Sequence, residues 1–247
     1  MSTTANLEPV ISSPPRRSLS TLTIVTALAV VVGFVLAFVV VGPDSVQGDV
    51  QRLFYVHMPS FFGAFFAFGA TVLGGVMYLR TRAVKWDTLA LAGVEVGLAL
   101  ALVNLATGSI WARPIWNTWW TWDPRLTSAA VMALTYAAYL MLRAGIENPD
   151  ARRRFASVYG IVAISTVILT LVIIRIVPET IHPVVVGPSP TNAEGAFEAD
   201  TGTALALLPN LVIWGVLVPL TLIWHRIRLQ NFYDRVQARK AKLVEGQ

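Results

Sequence analysis

Six stretches of this 247-residue chain each run for about twenty residues with almost no charge, and nothing else in the sequence narrows the fold as much. A helix rises about 1.5 Å per residue and the hydrocarbon core of a bilayer is about 30 Å thick, so each stretch is long enough to cross it. They lie at 19–41, 54–79, 88–110, 126–142, 155–177 and 203–224. Composition agrees, because 55% of residues are hydrophobic and only 13% charged, where a soluble domain carries about 25% charge. The expected fold class is therefore all-α, a polytopic membrane bundle of six transmembrane helices. The first run has 23 residues, longer than the 7–15 of a cleavable signal core, and no small-residue cleavage site follows it, so it is expected to be a retained anchor.

The distribution of Lys and Arg sets the orientation. Of 19 in the chain, 2 precede the first run, 3 lie in 80–87, 4 in 143–154 and 6 from Arg226 onward. Excess positive charge marks the cytoplasmic side. Both termini are thus expected inside, with 1–18 and the basic 227–247 as cytoplasmic tails around a single domain at 19–226. The segments 42–53, 111–125 and 178–202 then face outward, to a periplasm or its Gram-positive equivalent. The net charge of +5 forms no stripe that would suit nucleic acid. No G-x-x-x-x-G-K-[ST] occurs, so ATP binding through a P-loop is not expected, and no hydrolytic motif points to an enzyme. The spans show no inverted repeat of broken helices such as secondary transporters use.

The outward segments hold the chemistry. Five of the eight tryptophans, Trp111, Trp116, Trp119, Trp120 and Trp122, fall within twelve residues. An interfacial aromatic belt accounts for scattered rings such as Trp86 and Trp224, but it does not call for W-N-T-W-W-T-W-D in one loop. The spacing predicts a short helix lying on the membrane, with Trp116, Trp119 and Trp120 on one side and Asp123 a turn further on. Such a shelf suits a large, flat, apolar ligand. Asp123 reads equally as the N-cap of the fourth span, with Pro124 as its first residue.

His57, at the outer end of the second span, and His182, beyond the fifth, flank this loop at the same depth. Two imidazoles on opposite faces of a macrocycle would make a six-coordinate iron centre. His225, at the inner end of the sixth span, reads as an interfacial polar tip. With no cysteine in the chain, thioether attachment, thiolate ligation and disulfides are excluded, so haem would be held non-covalently, as haem b. Arg52, Arg113 and Arg125 are the outer guanidiniums that could pair with haem propionates or simply snorkel. Glu95 and Arg175 are ionisable groups inside apolar spans, where a charge must face the bundle or reach the interface.

The run W-A-R-P-I-W-N-T-W-W-T-W-D-P-R-L-T-S at 111–128 resembles the tryptophan-rich WWD loop of the cytochrome c assembly family, and the resemblance extends over all six spans. The CcsA-type and CcmF-type members have more spans, so this length points to the CcmC branch. The resemblance implies that the WWD loop presents haem at the outer face, with His57 before it and His182 after it as axial ligands. It also implies loading of haem onto the chaperone CcmE, in company with the ABC-type subunits CcmA and CcmB and the small protein CcmD. Ala112, Asn117 and Pro124 depart from the loop pattern, and Ile181-His182-Pro183 lacks the tryptophans and glutamine expected around the second histidine. Two other functions compete with this reading: a b-type haem electron-transfer subunit, which would need an inner histidine pair, and an ion-coupled transporter using Glu95 and Arg175.

The charge count makes a direct prediction about sidedness. In this cysteine-free chain, single cysteines placed at Gly48, Thr118 and Asn192 should react with an impermeant thiol reagent from outside, and one at Asn148 should not. Outside labelling at Asn148 would overturn the orientation.

Overall fold

The computed structural model describes residues 16–177, 179–184 and 201–245, and among these it is an all-α bundle. Helix α1 (Arg16–Val35) continues through a π-helical turn, Leu36–Val40. A 3-10 turn, Asp49–Leu53, leads into α2 (Phe54–Thr81), followed by α3 (Val84–Trp116), α4 (Pro124–Gly145) and α5 (Pro149–Ile176). Helices α6 (Thr201–Val212) and α7 (Val218–Glu245) are joined by the π-turn Ile213–Leu217 and act as one long rod. Six of these segments are long and apolar enough to span a membrane, the last running Thr201–Ala241. The protein is a multi-pass membrane protein.

Local chemistry explains where the helices start and stop. Helices α4 and α5 both begin with proline, whose missing N–H costs nothing in the first turn, after a capping Asp123 or Asn148. Asn148 accepts the N–H groups of Asp150 and Ala151, each at 3.0 Å. Helix α2 ends at Arg82, which takes the left-handed conformation (φ 59°) and donates its N–H to the Tyr78 carbonyl at 2.8 Å. The short turn after it folds α3 back along α2 as an antiparallel hairpin.

That hairpin is the spine of the bundle, and it packs almost backbone to backbone. A Cβ added at Gly93 would meet the Ala67 carbonyl oxygen at 2.5 Å, and one at Gly74 would meet the Trp86 carbonyl oxygen at 2.6 Å. Lipid tails are as apolar as leucine, so close van der Waals approach through small residues is what holds membrane helices together. Deeper in the bundle, the Phe68 and Tyr136 rings stack with centroids 3.5 Å apart, joining α2 to α4. Around the outside, Ile24, Leu28, Val31 and Val39 of the first span are exposed, as lipid-facing residues must be.

The ionisable groups within apolar spans have partners. Glu95 forms a two-pronged ion pair with Arg226, and buried Asp87 receives both Arg143 nitrogens, at 2.5 and 2.9 Å. His225, exposed on α7, hydrogen-bonds Thr23 at 2.8 Å.

The helices overrun the apolar stretches, since a helix need not end where the hydrocarbon does. Residues 111–116, expected in the outer loop, are the last turns of α3, and most of the expected C-terminal tail continues α7 to Glu245. The predicted membrane-lying helix through Trp119 and Trp120 is absent: Asn117 enters the left-handed region (φ 53°) and the chain is irregular up to Asp123. Most of the expected N-terminal tail, residues 1–15, lies outside the described residues.

If backbone contact holds the hairpin, one methyl group should distinguish its inner and outer faces. Gly93→Ala should destabilise the detergent-solubilised protein by about 1–3 kcal/mol through overpacking. Gly69→Ala, where an added Cβ meets nothing within 4 Å, should be neutral or stabilising because alanine favours the helix. Thermal unfolding of the two variants checks the contrast.

Candidate functional site

At the end of the bundle that carries the tryptophans, a cavity opens between the first turns of α2, the last turns of α3 and α5, and the start of α4. It contains about 1450 Å³ of empty space, its open mouth included. The walls are largely apolar, with Phe54, Met58, Phe61, Leu105, Leu171 and Ile174 among them.

Both expected histidines reach this cavity. His57 stands on the first turn of α2 against α3. Its Nδ1 lies 2.9 Å from the Asn104 carbonyl and 3.2 Å from Thr107 Oγ1. A carbonyl can only accept, so this contact favours a proton on Nδ1, and in the neutral ring Nε2 then keeps its lone pair. Asn104 also donates its side-chain amide to the His57 carbonyl at 2.8 Å, and Ser60 Oγ donates to the same oxygen at 2.8 Å. One turn beyond Asn104, a Cβ on Gly108 would lie 2.9 Å from His57 Cε1. Glycine is therefore what lets the imidazole lie flat against α3.

His182 is held differently, on an irregular strap after α5. Its Nδ1 is 2.8 Å from the Pro183 carbonyl, again leaving Nε2 as the acceptor. Thr180 Oγ1 accepts the His182 N–H at 3.1 Å, and Asp123 Oδ2 accepts the Ile181 N–H at 3.0 Å. Burial, and then the positive charge of Arg125, lower the His182 pKa to about 3, so the ring is neutral and able to act as a ligand.

The tryptophans divide into two groups. Trp111, Trp116 and Trp120 line the cavity. Trp111 and Trp116 meet edge to face with centroids 5.0 Å apart, and the Trp116 ring lies 6.1 Å from that of His182. The Trp111 indole donates to Gln47 Oε1 at 2.8 Å, tying the 42–53 segment to the end of α3. Trp119 and Trp122 point away, 59% and 79% exposed. The expected shelf of Trp116, Trp119 and Trp120 is thus a wall of Trp111, Trp116 and Trp120, because α3 extends to Trp116 and the chain then turns.

Asp123 is buried, and its two carboxylate oxygens take different partners. Oδ1 accepts the Arg125 N–H at 2.9 Å and caps α4, while Oδ2 holds the histidine strap. The three candidate arginines also separate. Arg125 lines the cavity, its guanidinium 5.7 Å from the Phe61 ring. Arg52 pairs with Asp49 at 3.1 Å and donates to the Phe38 carbonyl. Arg113 donates to the Asn117 backbone and side-chain oxygens, each at 2.6 Å. Neither lines the cavity, but Arg175 does. Sequence reasoning passed over Asn104, Gly108 and Gln51, and left Arg175 without a role. An asparagine and a glycine four apart in an otherwise apolar run were the available signal for the first two.

A family model described as "Heme exporter protein C", CcmC, matches residues 6–183. The chain belongs to the CcmC family. Proteins named heme exporter protein C from Paracoccus denitrificans and Rhodobacter capsulatus are 35% identical over 108 residues and 34% identical over 125. These matches cover 44% and 51% of this chain, and the chain spans about half the length of those relatives, 45% and 52%. The Haemophilus influenzae protein of the same name is 29% identical over 203 residues, 80% of this chain and 79% of its own. The CcmC-family match covers both His57 and the whole tryptophan segment, and it ends at Pro183, just after His182.

The two jobs of Asp123 can be separated. Asp123→Asn should keep the α4 cap, since asparagine caps nearly as well. If its amide nitrogen turns to the strap, the Ile181 N–H is left without an acceptor. Hydrogen exchange should then speed up at Ile181 and stay slow at the start of α4, whereas Asp123→Ala should loosen both and cost about 1 kcal/mol at the cap.

Proposed function

We propose that this protein is a haem-handling factor of cytochrome c maturation, which holds haem b non-covalently in this cavity and loads it onto the chaperone CcmE. The observation that carries the reading is the pair of imidazoles that reach one cavity. Each has Nδ1 committed to a backbone carbonyl and Nε2 left over, and both line one cavity. Among the described residues no group of three or more His, Cys, Asp or Glu could hold a bare metal ion. Two imidazoles suit an iron whose other four ligands come with a macrocycle. The donor set and the apolar walls both fit that cargo.

The residues then take distinct parts. His57 and His182 are the axial ligands. Trp111, Trp116 and Trp120 wall the ring, each aromatic contact adding about 0.5–1.5 kcal/mol beyond burial. Trp119 and Trp122 sit as exposed aromatics at the membrane interface, beside the site where a partner would collect the ring. Of the candidate propionate contacts, Arg125 is the one at the cavity, joined by Arg175, while Arg52 and Arg113 brace the surrounding backbone. Asp123 positions His182 rather than touching the cargo.

Membership of the CcmC family and the charge asymmetry support an inner-membrane location with both termini in the cytoplasm and the cavity on the outer face. CcmA, CcmB and CcmD complete the working complex. The chain has no nucleotide-binding motif of its own, so ATP hydrolysis would belong to a partner, and delivery here is not an enzymatic step. The two alternatives gain nothing from the geometry. His225 bonds Thr23, and the Glu95–Arg226 pair lies about 14 Å of helix rise from Asn104.

Purified protein carrying haem should show a six-coordinate spectrum that is lost in the His57→Ala, His182→Ala double variant and unchanged in His225→Ala. Trp120→Ala should weaken haem retention, while Trp119→Ala should leave it near the wild-type level. A normal spectrum from the double variant would remove the axial-ligand assignment.

A further inference from the structure

Two buried polar groups in the cavity have no use in the ligand geometry described above. Gln51, in the 3-10 turn before α2, is 2% exposed and lines the cavity. Neither its Nε2 nor its Oε1 has a hydrogen-bond partner among the described residues. Trp116 lines the same cavity with its buried indole Nε1 also unpaired. Their neighbours differ: Gln47, one turn earlier, receives the Trp111 N–H. Buried polar atoms are nearly always paired, and leaving both ends of an amide dry is costly. Unpaired groups of this kind at a ligand cavity mark where the ligand's own polar atoms belong.

The chemistry of those atoms follows from the donors on offer. Gln51 supplies an NH₂ and one carbonyl, and Trp116 supplies an N–H, so donors outnumber acceptors. Arg125 and Arg175 add positive charge to the same lining. Asp123, the nearby acid, is occupied by two backbone N–H groups and lies outside it. The fitting ligand group is rich in acceptor oxygens and carries negative charge, which describes a carboxylate. On the edge of haem only the two propionates have that character, since methyl and vinyl groups offer no hydrogen bond.

We propose that Gln51 determines the orientation of the bound ring by holding one propionate carboxyl through its side-chain amide, with the Trp116 indole N–H as a second donor. The arginines supply charge, which attracts either propionate from a range of angles. The amide and indole supply direction, which fixes the edge of the ring that enters the cavity. This assignment rests on the haem reading of the cavity and adds residues that reading does not require.

The test compares haem with its dimethyl ester, which has the same ring and iron but blocked propionates. Full-length purified protein is titrated with each and followed by Soret absorbance. Wild-type protein should favour the free acid by about tenfold or more. Gln51→Leu and Gln51→Met, which keep the bulk and remove the amide, should lose most of that preference by weakening haem alone, with ester affinity unchanged. Trp116→Phe should move the ratio the same way by a smaller factor. A wild-type ratio in both Gln51 variants would overturn the proposal while leaving the haem reading intact, as would an equal loss for both ligands, which would make Gln51 a wall residue. Failure of wild-type protein to bind either porphyrin would overturn the haem reading and this assignment with it.

Discussion

The near-contact of the α2 and α3 backbones is the constraint on which the rest of this molecule depends. In hydrocarbon no hydrophobic force brings helices together, so close packing through small residues and interhelical polar contacts must do so. Gly74 and Gly93 provide this along the hairpin, and Gly108 continues it to the end that carries the site. At that end the close approach places the Asn104 carbonyl within reach of the His57 ring. An imidazole that would otherwise rotate freely is fixed in tautomer and direction by the same packing that joins the two spans.

The architecture was legible in the sequence because its physics is local. A membrane span needs length and apolarity, both of which can be counted, and six stretches met that test. The tryptophan cluster stood out for a similar reason, since its density exceeds what an interfacial belt requires. The direction of each ring was a different matter. Trp119 and Trp120 are adjacent, yet one faces outward and the other lines the cavity, because Asn117 turns the chain before the helical spacing can continue.

What the sequence hid depends on partners far along the chain. Asn104 looked like one polar residue in an apolar run until the fold put its carbonyl against His57, 47 positions away. Asp123 read as either a cap or a site residue; one of its oxygens caps α4, and the other reaches the Ile181 N–H, 58 positions away. Arg52, Arg113 and Arg125 were equivalent as outer cations. For two of them the partners are near in sequence, Asp49 for Arg52 and Asn117 for Arg113, and spacing alone did not say which of the three would be so engaged. Gln51 gave no signal at all, as its interest lies in the absence of partners around it, which no spacing rule reports.

The two histidines are mounted on supports of unequal stiffness. Freeing His57 means separating packed helices and breaking the bonds of Asn104 and Ser60 to its backbone. Freeing His182 separates no packed helices: its described bonds run to Thr180 and Pro183 beside it and, through Ile181, to Asp123. Such a clasp has a fixed jaw and a hinged one. If the proposed haem is gripped between them, the route that disturbs least structure would part it from the strap first, while the helix-borne ring still held its other face.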